Sequence, residues 1–247
     1  MGKQSFLAVN TIRIGLVATG IAMLAALLLA GTDLQAQNED LASVLKQMDT
    51  SAARFQDVAA DISVDNYTAV VQDHEFQKGT TAFRRTAAGM EMVMHLTSAG
   101  QPYADLLYRN GQLDYYSPAQ KQETIFAAGA NRQEYDGMLA TGFGATGKDL
   151  QESWTVTFEG MDKSVPTSAG APTAKLDLVS KDAKVRESYS HVTLWVDLSR
   201  DISMKLAMFQ PSGDSRTATY SNIQYNTHLK DSRFKLDIPK GTPVQRR

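Results

Sequence analysis

The strongest chemical signal in the chain is Gly142-Phe143-Gly144-Ala145-Thr146-Gly147-Lys148, which matches the first seven places of a phosphate-cradling P-loop. Such a loop works because glycines let successive backbone N–H groups converge on phosphate. A lysine then reaches the terminal phosphates, and the next residue, Ser or Thr, holds magnesium. Here the next residue is Asp149, a carboxylate that would face the phosphates. The loop also follows a helical segment instead of a buried strand, and it opens only about one helical turn. The pattern reads as a glycine-rich hinge, not a nucleotide site.

Other chemistries have less to start from. His74, His95, His191 and His228 lie far apart, and none has a second ligand at i+4, so no metal site is expected. No Gly-x-Ser-x-Gly elbow appears. The acid pairs Asp57/Asp61 and Asp182/Glu187 stand beside turns or strand starts and read as solvated charge. Cysteine is absent, which excludes disulfides and thiolate chemistry. The residues point to a protein that is not an enzyme and needs no cofactor. The methionines leave two readings open. Met90, Met92, Met94, Met204 and Met208 fall on strand faces and Met138 in a helical segment, where they either fill a core or form a soft wall for a flexible apolar ligand.

The elements that must position these residues follow from hydrophobic period. Leu41, Val44, Leu45, Met48, Ala52 and Phe55 recur at helical spacing, with Asn38 or Asp40 able to cap the start. From about Val58 the period changes to two. Alternating runs include Met90/Met92/Met94/Leu96, Trp154/Val156/Phe158, Val192/Leu194/Val196/Leu198, Met204/Leu206/Met208 and Phe234/Leu236/Ile238. Turn signals such as Asn110-Gly111 and Pro211-Ser212-Gly213-Asp214 separate strands. The series predicts an antiparallel meander with one apolar face. Residues 129–151 interrupt it with a short helix over Asn131 to Leu139, three glycines and a helical turn at Lys148–Gln151, the character of a lid. Gly160 to Pro172 reads as a disordered loop. Few helices for so many strands suggests a curled sheet around a partly hollow interior.

The first 36 residues read as a cleaved secretory signal. Lys3 and Arg13 precede a predominantly apolar run from Ile14 to Ala30, and Leu34-Gln35-Ala36 ends the segment. The run falls a little short of the ~18–20 residues of a membrane-spanning helix. Leu28-Leu29-Ala30-Gly31 approaches a lipid-attachment site, but Thr32 stands where the acylated cysteine would be, so no lipid tether is expected. Removing Lys3, Arg13 and Asp33 changes 25 basic and 27 acidic residues to 23 and 26. Without a basic stripe, nucleic acid is not an expected partner. Residues 37–247 have the length of one domain or two small ones, and the expectation is a single periplasmic domain that is monomeric.

The order of pieces resembles the LolA-like outer-membrane lipoprotein carrier and lipoprotein-sorting family. The resemblance rests on Ala53-Arg54-Phe55-Gln56-Asp57-Val58-Ala59-Ala60-Asp61, then Gly79-Thr80-Thr81-Ala82-Phe83-Arg84-Arg85, Tyr108-Arg109-Asn110-Gly111-Gln112-Leu113 and Tyr115-Tyr116-Ser117-Pro118. It continues through Leu139 to Gly160, Leu194-Trp195-Val196-Asp197, and Asp231-Ser232-Arg233-Phe234 to Pro239-Lys240-Gly241. It implies a mainly β fold, an open antiparallel half-barrel with short helices as a lid over a hydrophobic cavity. It also implies a periplasmic chaperone that shields the acyl chains of lipoproteins. Its partners would be an inner-membrane lipoprotein-releasing transporter and an outer-membrane acceptor. A lipid-binding sensor module and a carrier of free lipid remain alternatives on the same fold. Arg85 aligns with the family's lid-holding Arg, although Thr86 replaces the usual Pro and Arg84 competes for the role. The candidate lipid-binding and latch residues are Arg85, Met90, Met92, Met94, Met138, Leu139 and Phe143.

Overall fold

The computed structural model describes residues 40–127, 129 and 141–247. The chain divides into two compact units, Met1–Ala42 and Ser43–Arg247. The described part of the first is residues 40–42, and the second holds the sheet and the site. Helix α1 (residues 40–52) leads into six strands: β1 (Asp57–Thr68), β2 (Asp73–Thr86), β3 (Gly89–Ser98), β4 (Gln101–Arg109), β5 (Gln112–Ser117) and β6 (Gln122–Ala127). After residues 141–146 come α2 (Gly147–Ser153), β7 (Trp154–Asp162), β8 (Thr173–Ser180), α3 (Ala183–Ser188), β9 (His191–Asp197), β10 (Ile202–Phe209), β11 (Ser215–Tyr225) and β12 (Val244–Arg246). The helix expected to start near Asn38 is thus seen from Asp40, and the one expected over Asn131–Leu139 lies outside the described residues.

The strands form one sheet in the order β12-β6-β5-β4-β3-β2-β1-β11-β10-β9-β8-β7. Neighbours are antiparallel except β12 with β6. The two end strands do not pair, so the sheet is open and curled. The meander expected from alternation is present from β1 to β11, with β1 closing against β11 at its centre. Phe234/Leu236/Ile238, expected as a further strand, forms none, because Phe234 and Leu236 pack onto the sheet's outer face instead of pairing in it. Asn110-Gly111 makes the β4–β5 hairpin with both residues at positive φ, 52° and 75°, the geometry for which Asn-Gly is selected.

Side-chain alternation then fixes two faces. One inner row runs Val58, Phe83, Met92 and Tyr108 across β1–β4, and continues to Tyr225 on β11. Irregularities at Ala59/Asp61, Leu96/Thr97, Phe158/Met161 and Ser203/Lys205 bend the strands. Gly79 permits a further close approach: a Cβ there would sit 1.8 Å from the His95 carbonyl oxygen.

The outer face is covered by the chain's own C-terminal segment. Phe234 is fully buried against Ala59, Ala82 and Val93, whose small or branched side chains leave room for the ring. Arg84 stacks on that ring at 4.2 Å and bonds Glu91 and Asp231. The strap is tied down by Asp57, whose carboxylate accepts backbone N–H groups from Thr227 at 2.9 Å and Leu229 at 3.2 Å. Asp57 is therefore buried, not solvated as its position at a strand start suggests. Asp182 caps α3 by accepting from Lys184 N. The loop expected to be disordered is organised. Thr167 N donates to Ala171 O at 2.7 Å, and Thr173 Oγ1 donates to Val165 O at 2.8 Å.

Removing the ring that the strap inserts should open a cavity between strap and sheet. Phe234→Ala is expected to lower unfolding free energy by ~3–5 kcal/mol, read as a shifted urea midpoint. An unchanged midpoint would show that the strap adds nothing to the fold.

Candidate functional site

Successive residues of a strand point to opposite faces, and this separates Arg84 from Arg85. Arg84 belongs to the outer network with Glu91, Asp231 and Phe234. Arg85 faces inward, where its Nη1 donates to Ala52 O at 2.8 Å and its Nη2 donates to Gly144 O. One guanidinium thus joins β2, the end of α1 and the segment before α2. Register thus sends the two adjacent arginines to opposite faces of the sheet.

The segment that Arg85 holds is not a free linker in this state. Ser203 N donates to Gly142 O at 2.7 Å, Gly144 N donates to Asp201 O at 3.0 Å, and Phe143 bridges Ile202. Phe143 is buried, stacked on Phe83 at 4.2 Å and edge-on to Tyr220 at 5.0 Å. It fills this end of the inner face. Gly144 has φ +76°, and a Cβ on it would lie 2.7 Å from the Phe55 ring. Glycine is needed for close packing here.

The P-loop resemblance dissolves at the level of backbone donors. Gly144 N bonds Asp201 O, Thr146 N bonds Asp149 Oδ2, Asp149 N bonds Thr146 Oγ1, and Lys148 N bonds Asp49 Oδ1. Thr146 and Asp149 form a capping box for α2. Four of the loop's amides are thus already engaged, and Lys148 is exposed beside Glu152.

The candidate methionines line the same face. On β3, Met90 is opposite Arg85, Met92 opposite Phe83 and Met94 opposite Thr81. Met90 and Met92 are buried and Met94 is half-buried. A cleft of about 500 Å³ lies between the β2–β3 turn and residues 141–154, lined by Arg85, Met90, Thr141, Asp149, Leu150 and Trp154 among others. Met138 and Leu139 lie outside the described residues. The structure therefore brings Arg85, Met90, Met92, Met94 and Phe143 to one region.

No cluster of metal-ligating side chains occurs among the described residues. His74 and His95 each pair with a single carboxylate, Asp65 at 2.8 Å and Asp105 at 2.7 Å. Two Ser-x-x-Lys spacings, Ser43/Lys46 and Ser232/Lys235, are exposed at both members, without the burial that would activate a nucleophile. Among the described residues no helix is long and apolar enough to cross a membrane.

Sequence reading missed Asp201. It sits in a turn, Asp197 to Asp201, that gives no local sign of burial, yet it is 2 % exposed and its Oδ2 has no hydrogen-bond partner among the described residues. Burial pushes its carboxyl up to about 8, against the lowering effect of Arg85 and with a raising contribution from Asp49. A neutral acid thus sits beside the arginine that holds Gly144.

No family model matches the chain, and no curated protein matches it in sequence. Solved structures do resemble it. An uncharacterized conserved protein from Thermus thermophilus aligns over 83% of this chain and 98% of its own, with 12% identity and a TM-score of 0.51. A LolA superfamily protein from Nitrosomonas europaea covers 79% and 97%, at 13% identity and a TM-score of 0.38. A domain assigned to outer-membrane lipoprotein sorting from Vibrio parahaemolyticus covers 79% and 95%, at 13% identity and a TM-score of 0.42. The chain is mainly β, an open, curled sheet with few short helices, and its likeness to the Thermus thermophilus protein is one of fold. Identities this low speak to fold alone.

A buried acid whose folded value lies above its unfolded one prefers its proton in the fold. Its contribution to stability is present in full below about pH 4 and is lost as pH rises toward about 8. An asparagine side chain in its place would mimic the neutral acid and tolerate the left-handed backbone, φ 54°. Asp201→Asn should therefore be more stable than the native chain at pH 8 by about 1–3 kcal/mol, with the difference shrinking toward pH 4. Chemical denaturation at both pH values checks this, and a variant less stable at pH 8 would refute it.

Proposed function

We propose that the protein is a periplasmic carrier that shields the acyl chains of lipoproteins between the inner and outer membranes. The observation that carries this reading is Arg85. A methionine-bearing inner face is covered at one end by residues 141–147, and a single guanidinium spans that cover and the end of α1. Two hydrogen bonds to carbonyls are a modest tie, on the order of 1.5–3 kcal/mol each for a charged donor. Displacing the cover also breaks the Gly142 and Gly144 backbone bonds to Ser203 and Asp201 and unstacks Phe143, so the ligand must offer compensating apolar contact.

The physics of the task suits this arrangement. Each acyl CH₂ exposed to water costs ~0.8 kcal/mol, so an acylated protein crosses an aqueous compartment only when its chains are buried. A carrier needs an apolar face and a removable cover, and it needs no reactive group. Methionine suits such a face because its unbranched side chain repacks around flexible ligands. In this reading an inner-membrane lipoprotein-releasing transporter loads the carrier and an outer-membrane acceptor unloads it.

Residues 1–36, as a signal, would be removed on export. Mass spectrometry of protein recovered from the periplasm should find an N-terminus near Gln37. An intact Met1 in a membrane fraction resistant to high salt would overturn that.

Cargo binding is tested by substitution on the inner face. Met92→Asp should abolish uptake of a purified triacylated lipoprotein, while Lys184→Ala on α3 should leave it unchanged. Arg85→Leu should speed cargo release, and Arg84→Leu should change stability but not release. Unfolding midpoints separate lost binding from lost structure. Unchanged uptake in a folded Met92→Asp protein would refute the carrier reading.

A further inference from the structure

Gln77 is the polar member of an apolar row. Across the inner face the register runs Phe158, Leu176, Leu194, Leu206, Ala218, Val64 and Gln77. Gln77 is 2 % exposed, whereas its neighbour Phe76, on the outer face, is 60 % exposed. Burial alone would favour the reverse, since a one-residue shift exchanges the faces. The register is set by the whole of β1 and β2, and it puts an amide where an aliphatic side chain would pack better.

That amide is only half engaged. Its Nε2 donates to Glu75 Oε1 at 3.4 Å, which turns the NH₂ toward the exposed end of β2 and the carbonyl away from it. No donor among the described residues reaches Oε1. A buried acceptor without a donor is costly to keep, so it marks a place where a partner belongs. From Gln77 to Phe83 is six residues of β2, roughly 20 Å at ~3.3 Å per residue. Along that path β3 presents Leu96, Met94 and Met92, and the path ends at Phe143. An acceptor stands at one end of an apolar strip and an aromatic stop at the other.

We propose that Gln77 Oε1 accepts a hydrogen bond from a donor at the polar end of an acyl ligand, an N–H or O–H adjoining the chain. The chain then lies along β2 and β3 toward Phe143. The inference rests on the carrier reading and adds to it the chemistry of the linkage that the site selects. An ester-linked chain without a donor leaves Oε1 unpaired, while an amide-linked chain or a glycerol hydroxyl satisfies it.

Three probes of matched chain length test this with the mature protein: N-palmitoylglycine methyl ester, the corresponding palmitoyl glycolate methyl ester, and monopalmitoylglycerol. Affinity is read by displacement of a fluorescent fatty-acid analogue. The amide and the glyceride should bind about tenfold tighter than the donor-free ester, as one hydrogen bond predicts. The tighter of the two identifies an N–H or an O–H as the natural donor. Gln77→Met, which keeps length but removes the carbonyl, should bring all three to the same affinity, and Gln77→Leu provides a second version. Equal affinities in the native protein would overturn the proposal without any variant. A preference that survives in a folded Gln77→Met or Gln77→Leu protein would also overturn it. If none of the three binds, the carrier reading falls and takes this inference with it.

Discussion

An open antiparallel sheet with one apolar face cannot leave that face in water, and the rest of this structure answers that constraint. At ~25 cal/mol per Å² of apolar surface, even a few uncovered strands would outweigh the marginal stability of a domain. The chain meets the requirement on two sides with different means. The outer face of β1–β4 is sealed by the C-terminal strap through Phe234, a ring set among small side chains and clamped by charged groups. The inner face is covered at one end by Phe55, Phe143 and the neighbouring backbone, with Arg85 as the shared tie.

The two covers differ in chemistry, and the difference has a functional reading. The strap is fixed by a buried aromatic ring, by Asp57 receiving two backbone N–H groups, and by the pairing of β12 with β6. Undoing it would expose a ring and unpair several backbone groups at once. The inner cover has tight packing around Phe143, but its link to β2 is a guanidinium on two carbonyls beside an acid kept neutral by burial. Both covers bury an aromatic ring and are tied by backbone groups, and only the inner one adds a guanidinium on two carbonyls.

Local rules were broken at the same places where the function is proposed. Asp201 has a buried Oδ2 with no hydrogen-bond partner among the described residues, and Gln77 is an amide in an aliphatic row. Natural sequences depart from consistent local choice mainly at working sites. Gln77 lies in the inner row opposite Val64, and Asp201 lies near Arg85 and accepts from Gly144 N through its backbone carbonyl.

What the sequence determined by itself was the class of elements and their order. Period-two alternation from Val58 to Met208, the Asn110-Gly111 turn and the helical spacing from Leu41 to Ala52 are local signals that became the expected elements. Phe234/Leu236/Ile238 alternates in the same way and forms no strand, since it packs on the sheet instead of within it. The absence of a magnesium-binding hydroxyl after Lys148 likewise settled the false P-loop before any contact was known. Tertiary structure decided which face each residue occupies and what meets it across long sequence separation. Arg84 and Arg85 are indistinguishable as neighbours, and only the pairing of β2 with β1 and β3 sends one to the strap and the other to Gly144. Asp57 looks like surface charge until a segment 170 residues later lays its N–H groups on it. The burial of Asp201 and the inward turn of Gln77 leave no local trace, because burial and register are properties of the assembled sheet.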